Sequence, residues 1–197
     1  MKRFFDLFLS IILLIIFLIP LLFISILILS TSKGPFLYWS KRIGKENCIF
    51  YMPKFRTMSI GAPEVATHLL GNPSTYYTPI GKFIRKFSID EFPQLYSIIR
   101  GDMSLVGPRP ALYNQEDLIS LRTKEGVNHL MPGITGLAQV SGRDELSIAD
   151  KVRIDKSYLE QRSFPLDEDQ FIAHLFEIIE VVNRIGLSDE VRNWLET

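Results

Sequence analysis

Mainly helical α+β is the architecture expected of this 197-residue chain, with an N-terminal re-entrant helix-break-helix at a membrane (residues 1–32) and one small cytoplasmic domain (33–197) carrying few short strands. Three features point to it. From Leu7 to Leu29 the residues are almost all Leu, Ile and Phe. Beyond that run, apolar residues recur mostly at helical spacing, as in Ile80, Phe83, Ile84 and Phe87. Strand-like patterning is largely confined to Phe36 to Phe55.

The apolar run would make a straight helix of about 35 Å, long enough to cross a hydrocarbon core. Two features favour a hairpin that enters and leaves by one face. Lys2 and Arg3 precede the run while Lys33, Lys41, Arg42 and Lys45 follow it, so the preference of basic residues for the cytoplasmic side pulls both ends the same way. Pro20, near the centre, has no N–H for the Ile16 carbonyl and bends the helix there. The run is too long for a signal peptide and ends without a small-residue cleavage site.

After a Ser/Thr/Gly/Pro break at Ser30 to Pro35, aromatic, basic and β-branched residues around Gly44 suit short strands or extended loops. Gly61 to Pro79 reads as a long binding-type loop with one short helix. Thr78-Pro79 is an N-cap with proline at the first helical position, opening a helix whose other face carries Lys82, Arg85 and Lys86. A second helix runs from near Ser88 to Gly101, and a third from Glu116 to about His129. Pro132 to Gly136 and Ser141 to Asp144 read as turn-rich loops, and Lys151 to Arg162 as a polar helix. After Phe164-Pro165 an amphipathic helix carries Phe171, Leu175, Phe176, Ile178, Ile179 and Val182 and stops near Gly186.

About 165 residues outside the apolar run suffice for one compact domain. With 22 basic and 22 acidic residues the net charge is zero, which argues against a nucleic-acid binder working through overall positive charge. The charge is polarised, however. Lys33, Lys41, Arg42, Lys45, Lys54 and Arg56 follow the apolar run with only Glu46 among them, while the C-terminal end is acidic. Basic residues so placed favour anionic headgroups. The single cysteine, Cys48, allows no disulfide framework and no Cys/His zinc spacing. His68, His129 and His174 are widely spaced, without a partner motif.

Chemistry concentrates in two neighbouring stretches, Ser88-Ile89-Asp90-Glu91 and Gly101 to Pro110. An acidic pair close to a stiff, Arg-bearing loop suits phosphate chemistry, since an anionic nucleophile approaching phosphorus needs nearby cations to offset repulsion. Ser88-x-x-Glu91 also matches a capping box, which accounts for both residues without catalysis. Asp90 at a helix N-terminus would be held ionised by free N–H groups, available as nucleophile or magnesium ligand. Gly107-Pro108-Arg109-Pro110 fixes the backbone on both sides of Arg109 and presents a guanidinium suited to clamping phosphate. Strand alternation in Lys54-Phe55-Arg56 sends Lys54 and Arg56 to one face, either a solvated edge or an anion site.

Taken together, these stretches resemble the bacterial sugar transferases, membrane-bound polyprenyl-phosphate phosphoglycosyl transferases, in their minimal single-domain form. The likeness runs through Lys2-Arg3-Phe4-Phe5-Asp6, Lys54 to Met58, Gly81 to Arg85, Ser88 to Leu95, Gly101 to Pro110 and Pro132 to Arg143. The resemblance implies transfer of a sugar 1-phosphate from a UDP-sugar to undecaprenyl phosphate at the bacterial inner membrane, with release of UMP. It implies that Asp90 attacks the sugar-linked phosphorus, that Mg2+ sits beside Asp90, and that Glu91 assists. Arg109 would grip phosphate, with Lys54, Arg56, Arg85 and Arg143 as further contacts. The family's helix commonly bends at Ser-Pro, here Ile19-Pro20. Gly107 to Gln115 and Gly142 to Glu145 look like members handling N-acetylated 6-deoxy amino sugars. Two other classes compete: a magnesium-dependent membrane phosphohydrolase, and a non-catalytic membrane-tethered assembly protein in which Asp90-Glu91 only caps a helix.

Overall fold

The computed structural model describes residues 2–65, 71–142, 146–162, 167 and 171. Arg143, His68, His174 and the amphipathic helix expected after Pro165 fall outside them, apart from the isolated position Phe171.

The apolar run forms two helices, α1 (Lys2–Ile16) and α2 (Leu18–Thr31), bent by 61° where they meet. No single described helix is long and apolar enough to cross a membrane; the bent pair together is. The break falls at Phe17, three residues before Pro20, where the proline ring displaces the preceding turn and leaves the Ile16 carbonyl without its usual donor. Phe17 fills the bend by packing on Phe92, ring centroids 4.6 Å apart.

The pair is fastened at both ends to the rest of the protein. Near the start, Arg3 donates to the Ile98 and Ile99 carbonyls, and buried Asp6 accepts from the Ser104 hydroxyl and the Leu105 N–H. Phe5, Leu9, Leu13 and Leu14 pack against the main core. At the exit, the Arg56 guanidinium collects the Ser32, Lys33 and Gly34 carbonyls, while Ile28, Phe55 and Ile84 form a second, smaller core.

Next comes an antiparallel hairpin, β1 (Leu37–Ile43) and β2 (Ile49–Phe55), in the Phe36 to Phe55 stretch whose patterning suggested strands. Its register sets Tyr38 against Lys54, Ser40 against Met52 and Arg42 against Phe50, so these six share one face of the sheet. Among its described residues the long loop contains a 3-10 turn, Pro73–Tyr76.

α3 (Gly81–Lys86) starts two residues later than expected, with Ile80 at the cap position in place of Thr78. Thr78 does not cap it, because its hydroxyl and N–H both turn to the Thr57 carbonyl. The helix expected from Ser88 divides into a 3-10 segment, Ile89–Gln94, and α4 (Leu95–Arg100), which stops at left-handed Gly101 (φ 103°). Pro93 lies inside the 3-10 segment and removes one donor.

β3 (Ser104–Val106) pairs in parallel with β4 (Gly133–Thr135). Between them in sequence lies α5 (Glu116–Lys124), ended by Glu125 and left-handed Gly126, so the expected helix to His129 finishes as a 3-10 turn. α6 (Leu137–Val140) and α7 (Ile148–Gln161), the latter capped by Ser147, complete the described elements. The main core joins Met52, Leu95, Ile98, Leu105, Leu118, Val127 and Val152 from β2, α4, β3, α5, α7 and the Val127–His129 turn with Met103, which precedes β3.

Candidate active site

One face of the hairpin, the 3-10 segment and the loop after β3 close around a cleft of about 620 Å3. Tyr38, Ser40, Arg42 and Lys54 rise from the sheet face; Ser88, Asp90 and Glu91 come from the 3-10 segment and its entry; Arg85 comes from α3 and Arg109 from the loop. Lys54, Arg85, Asp90, Glu91 and Arg109, widely separated in sequence, are thereby brought together.

Glu91 is the organising acid. Lys54 Nζ donates to its Oε1 at 2.9 Å, and Arg109 reaches Oε1 at 2.6 Å and Oε2 at 3.4 Å. Burial alone would raise the Glu91 pKa, but the charges and hydrogen bonds of Arg109 and Lys54 outweigh it and hold the carboxyl well below the usual range. Burial also lowers the Lys54 ammonium from its ordinary value, partly offset by Glu91. No capping box forms: Ser88 sits in the left-handed region (φ 54°), its side chain caps nothing, and Glu91 is drawn to the cations instead.

Asp90 is buried, at 6% exposure, yet among the described residues no group donates a hydrogen bond to its carboxylate. Burial pushes its pKa up to about 6; Lys54, Arg85 and Arg109 restrain the rise and Glu91 adds to it. The expectation that helix N–H groups hold Asp90 ionised is therefore corrected. Three cationic neighbours do so, against the cost of burial.

The loop bearing Arg109 is held at several points. Gly107 lies so close to the next segment that a Cβ there would sit 2.2 Å from the Met131 carbonyl oxygen, and one at Gly133 2.2 Å from the Gly107 nitrogen. This close crossing makes Pro132 to Gly136 a strand and short helix entry, where its glycines and proline read as a turn-rich loop. Arg122 donates to the Arg109 carbonyl at 2.7 Å and pairs with buried Asp155 at 2.6 Å.

Arg56 lines the cleft, but its guanidinium is engaged with the exit of α2. Sequence reasoning did not single out Arg42, Tyr38, Arg122 or Asp155. Arg42 donates to Ser40 Oγ and the Pro110 carbonyl; burial and Arg109 lower its pKa to about 10, with Glu91 working the other way. Strand alternation through Tyr38, Ser40 and Arg42 was the available signal, since it places them on the Lys54 face.

Residues 1–181 match the family model for bacterial sugar transferases. The chain belongs to that family. It is 36% identical to the undecaprenyl-phosphate galactose phosphotransferase of Salmonella typhimurium, over 93% of this chain and 40% of that protein. It is 37% identical to the exopolysaccharide production protein ExoY of Rhizobium meliloti, over 84% of this chain and 80% of ExoY. The undecaprenyl-phosphate glucose phosphotransferase of Komagataeibacter xylinus is also 37% identical, over 84% of this chain and 33% of that protein. The chain thus spans about 40% of the length of several of its curated relatives.

The described acids lining the cleft of this family member are Glu64, Asp90 and Glu91. No described group of three or more His, Cys, Asp or Glu residues could hold an ion, and both Glu91 oxygens are committed to cations. A carboxylate without a donor suits an ion of the Mg2+ type, which takes one or two protein oxygens and completes its shell with phosphate and water.

Proposed function

We propose that this protein transfers a sugar 1-phosphate from a UDP-sugar to undecaprenyl phosphate, through an Asp90 phospho-sugar intermediate, and so starts a surface glycan on its lipid carrier. The observation carrying this reading is Asp90 itself: a buried carboxylate with a pKa of about 6, aimed into a cleft whose cations are arranged about it. The family match and the names of the relatives support the lipid acceptor.

In the first step an Asp90 oxygen forms a bond to the sugar-linked phosphorus, and the bond from that phosphorus to the UMP oxygen breaks, with UMP taking the electron pair. In the second step a lipid phosphate oxygen attacks the same phosphorus and the Asp90–phosphorus bond breaks, restoring the carboxylate. Arg109 and Arg85 offset phosphate charge. Glu91 keeps Lys54 and Arg109 aimed across the cleft, and Arg42 adds positive potential from the sheet. Mg2+ held by Asp90 would supply charge neutralisation to the diphosphate and the leaving UMP.

The bent helix pair supports a position on one face of the inner membrane, the cytoplasmic one, because both of its ends are hydrogen-bonded to the same body. An N-acetylated 6-deoxy amino sugar is the donor proposed; galactose and glucose, named in the relatives, are the comparison arms.

The test is a panel of UDP-sugars with and without undecaprenyl phosphate, read by UMP formation, glycolipid formation and mass spectrometry of the Asp90 peptide. The reading expects lipid-dependent turnover and a phospho-sugar adduct on Asp90. UMP or sugar phosphate released without glycolipid, indifferent to added lipid, would indicate hydrolysis. Full turnover by Asp90→Asn would refute the mechanism.

A further inference from the structure

Asp6 lies at the start of the apolar helix pair, in a segment the proposed chemistry does not use, yet only 3% of its surface is exposed. A carboxylate so buried demands partners, and both come from β3: Ser104 Oγ at 2.8 Å and Leu105 N–H at 3.3 Å. β3 is three residues long and pairs with β4 at Ser104 and Val106. The intervening Leu105 N–H points to the opposite edge, where no neighbouring strand is described. Asp6 occupies that edge. One residue further on, Lys2 Nζ donates to the Val106 carbonyl at 3.1 Å and to Asp167 at 2.6 Å.

Only Gly107 and Pro108 separate Val106 from Arg109. Gly107 is wedged against the Met131 carbonyl, Pro108 has a fixed φ, and the Pro108 carbonyl accepts from the Gly133 N–H. A shift of β3 therefore passes to Arg109 with little slack to absorb it. We propose that Asp6 is a positioning residue for Arg109: by taking the Ser104 hydroxyl and the Leu105 N–H, it fixes the strand that launches the phosphate-facing guanidinium. The first turn of the membrane-directed helix is then part of the support of the catalytic centre as well as an anchor.

The proposal rests on the transferase reading for its activity arm but not for its structural arm. The experiment uses the full chain in phospholipid nanodiscs, comparing wild type, Asp6→Asn, Arg109→Lys and the double variant. Hydrogen exchange is followed in peptides covering Leu105 to Ala111 and, as reference, α4; UMP release is measured with the best UDP-sugar. Asp6→Asn is expected to speed exchange over Leu105 to Ala111 about tenfold without changing α4. It should lower kcat/KM about tenfold in the wild-type background and less than twofold beside Arg109→Lys, because both changes act through one side chain. Ser104→Ala, which removes one bond and keeps the carboxylate, gives the same pattern at smaller amplitude and serves if Asp6→Asn does not fold. Unchanged exchange, exchange raised across the whole domain, or equal losses of activity in both backgrounds would overturn the proposal. A wild-type protein that releases no UMP from any donor sinks the transferase reading alone, and the exchange result then decides the role of Asp6.

Discussion

Replacing Asp90 by Asn should leave a protein that is inactive and more stable than the wild type. The substitution keeps shape and removes the charge. In the folded protein the carboxyl has a pKa of about 6 against an ordinary 3.8, a rise caused by burial and moderated by Lys54, Arg85 and Arg109. For an acid whose pKa is raised on folding, the folded state binds the proton more tightly, so stability falls as pH climbs from about 4 to about 6 and the penalty is complete above that. Roughly two units at 1.36 kcal/mol each give about 3 kcal/mol at pH 7.5. Asn avoids this cost. Denaturant unfolding at pH 7.5 should therefore show Asp90→Asn more stable by up to about 3 kcal/mol, and the difference should shrink towards zero below pH 4. In wild-type kinetics the same ionisation should make kcat/KM fall about tenfold per pH unit below 6. A variant less stable than wild type at pH 7.5, or a gain independent of pH, would refute the claim that burial destabilises the Asp90 charge.

Glu91 behaves oppositely. Its depressed pKa means that its pairing with Lys54 and Arg109 contributes stability above the ordinary carboxylate range and is lost only as pH falls through the much lower folded value. Activity lost by exposure to pH 5 should therefore return fully at pH 7.5, and incomplete recovery would count against this. Glu91→Gln, by contrast, leaves Lys54 and Arg109 facing one neutral acceptor and should cost about 3 kcal/mol by denaturant unfolding, together with most of the turnover. Asp155→Ala leaves the Arg122 guanidinium, only 12% exposed, without its acid; a loss of about 3–5 kcal/mol is expected by the same measurement. Arg56→Ala frees the carbonyls at the exit of α2 and should lower the melting temperature while changing KM for the nucleotide sugar less than threefold. A tenfold rise in KM would place Arg56 in the anion site.

The sequence made the element types plain wherever local chemistry and tertiary packing agree. The apolar run, its bend and the hairpin follow from composition, Pro20 and strand patterning. It misled where a distant group claims a residue that local pattern assigns elsewhere. Ser88 to Glu91 spells a capping box, but Lys54 and Arg109, 37 and 18 residues away, draw the Glu91 carboxylate off the backbone. Thr78 spells an N-cap, but the Thr57 carbonyl takes its hydroxyl. Pro132 to Gly136 spells a turn, but the glycines serve the close crossing with Gly107. The site residues were legible one by one through their motifs. Their assembly was not, because nothing local says that Lys54 and Arg109 share an acid, or that Asp6 serves a strand nearly a hundred residues away.

The electrostatics of the cleft tie the proposed substrate to the state of the nucleophile. Three cations, Lys54, Arg85 and Arg109, favour the Asp90 anion, and only Glu91 opposes it among its main neighbours. That imbalance keeps a buried carboxyl mostly ionised at neutral pH, since a pKa near 6 leaves about a tenth of it protonated at pH 7. A diphosphate entering the cleft would spend the same positive potential and push the Asp90 pKa upward, towards protonation just when the anion is needed. A divalent cation arriving with the diphosphate would cancel that added charge. On this account the proposed cation requirement would follow from burying a carboxylate among groups that must also hold phosphate, with Asp90 the buried acid at the site not already tied up by a cation.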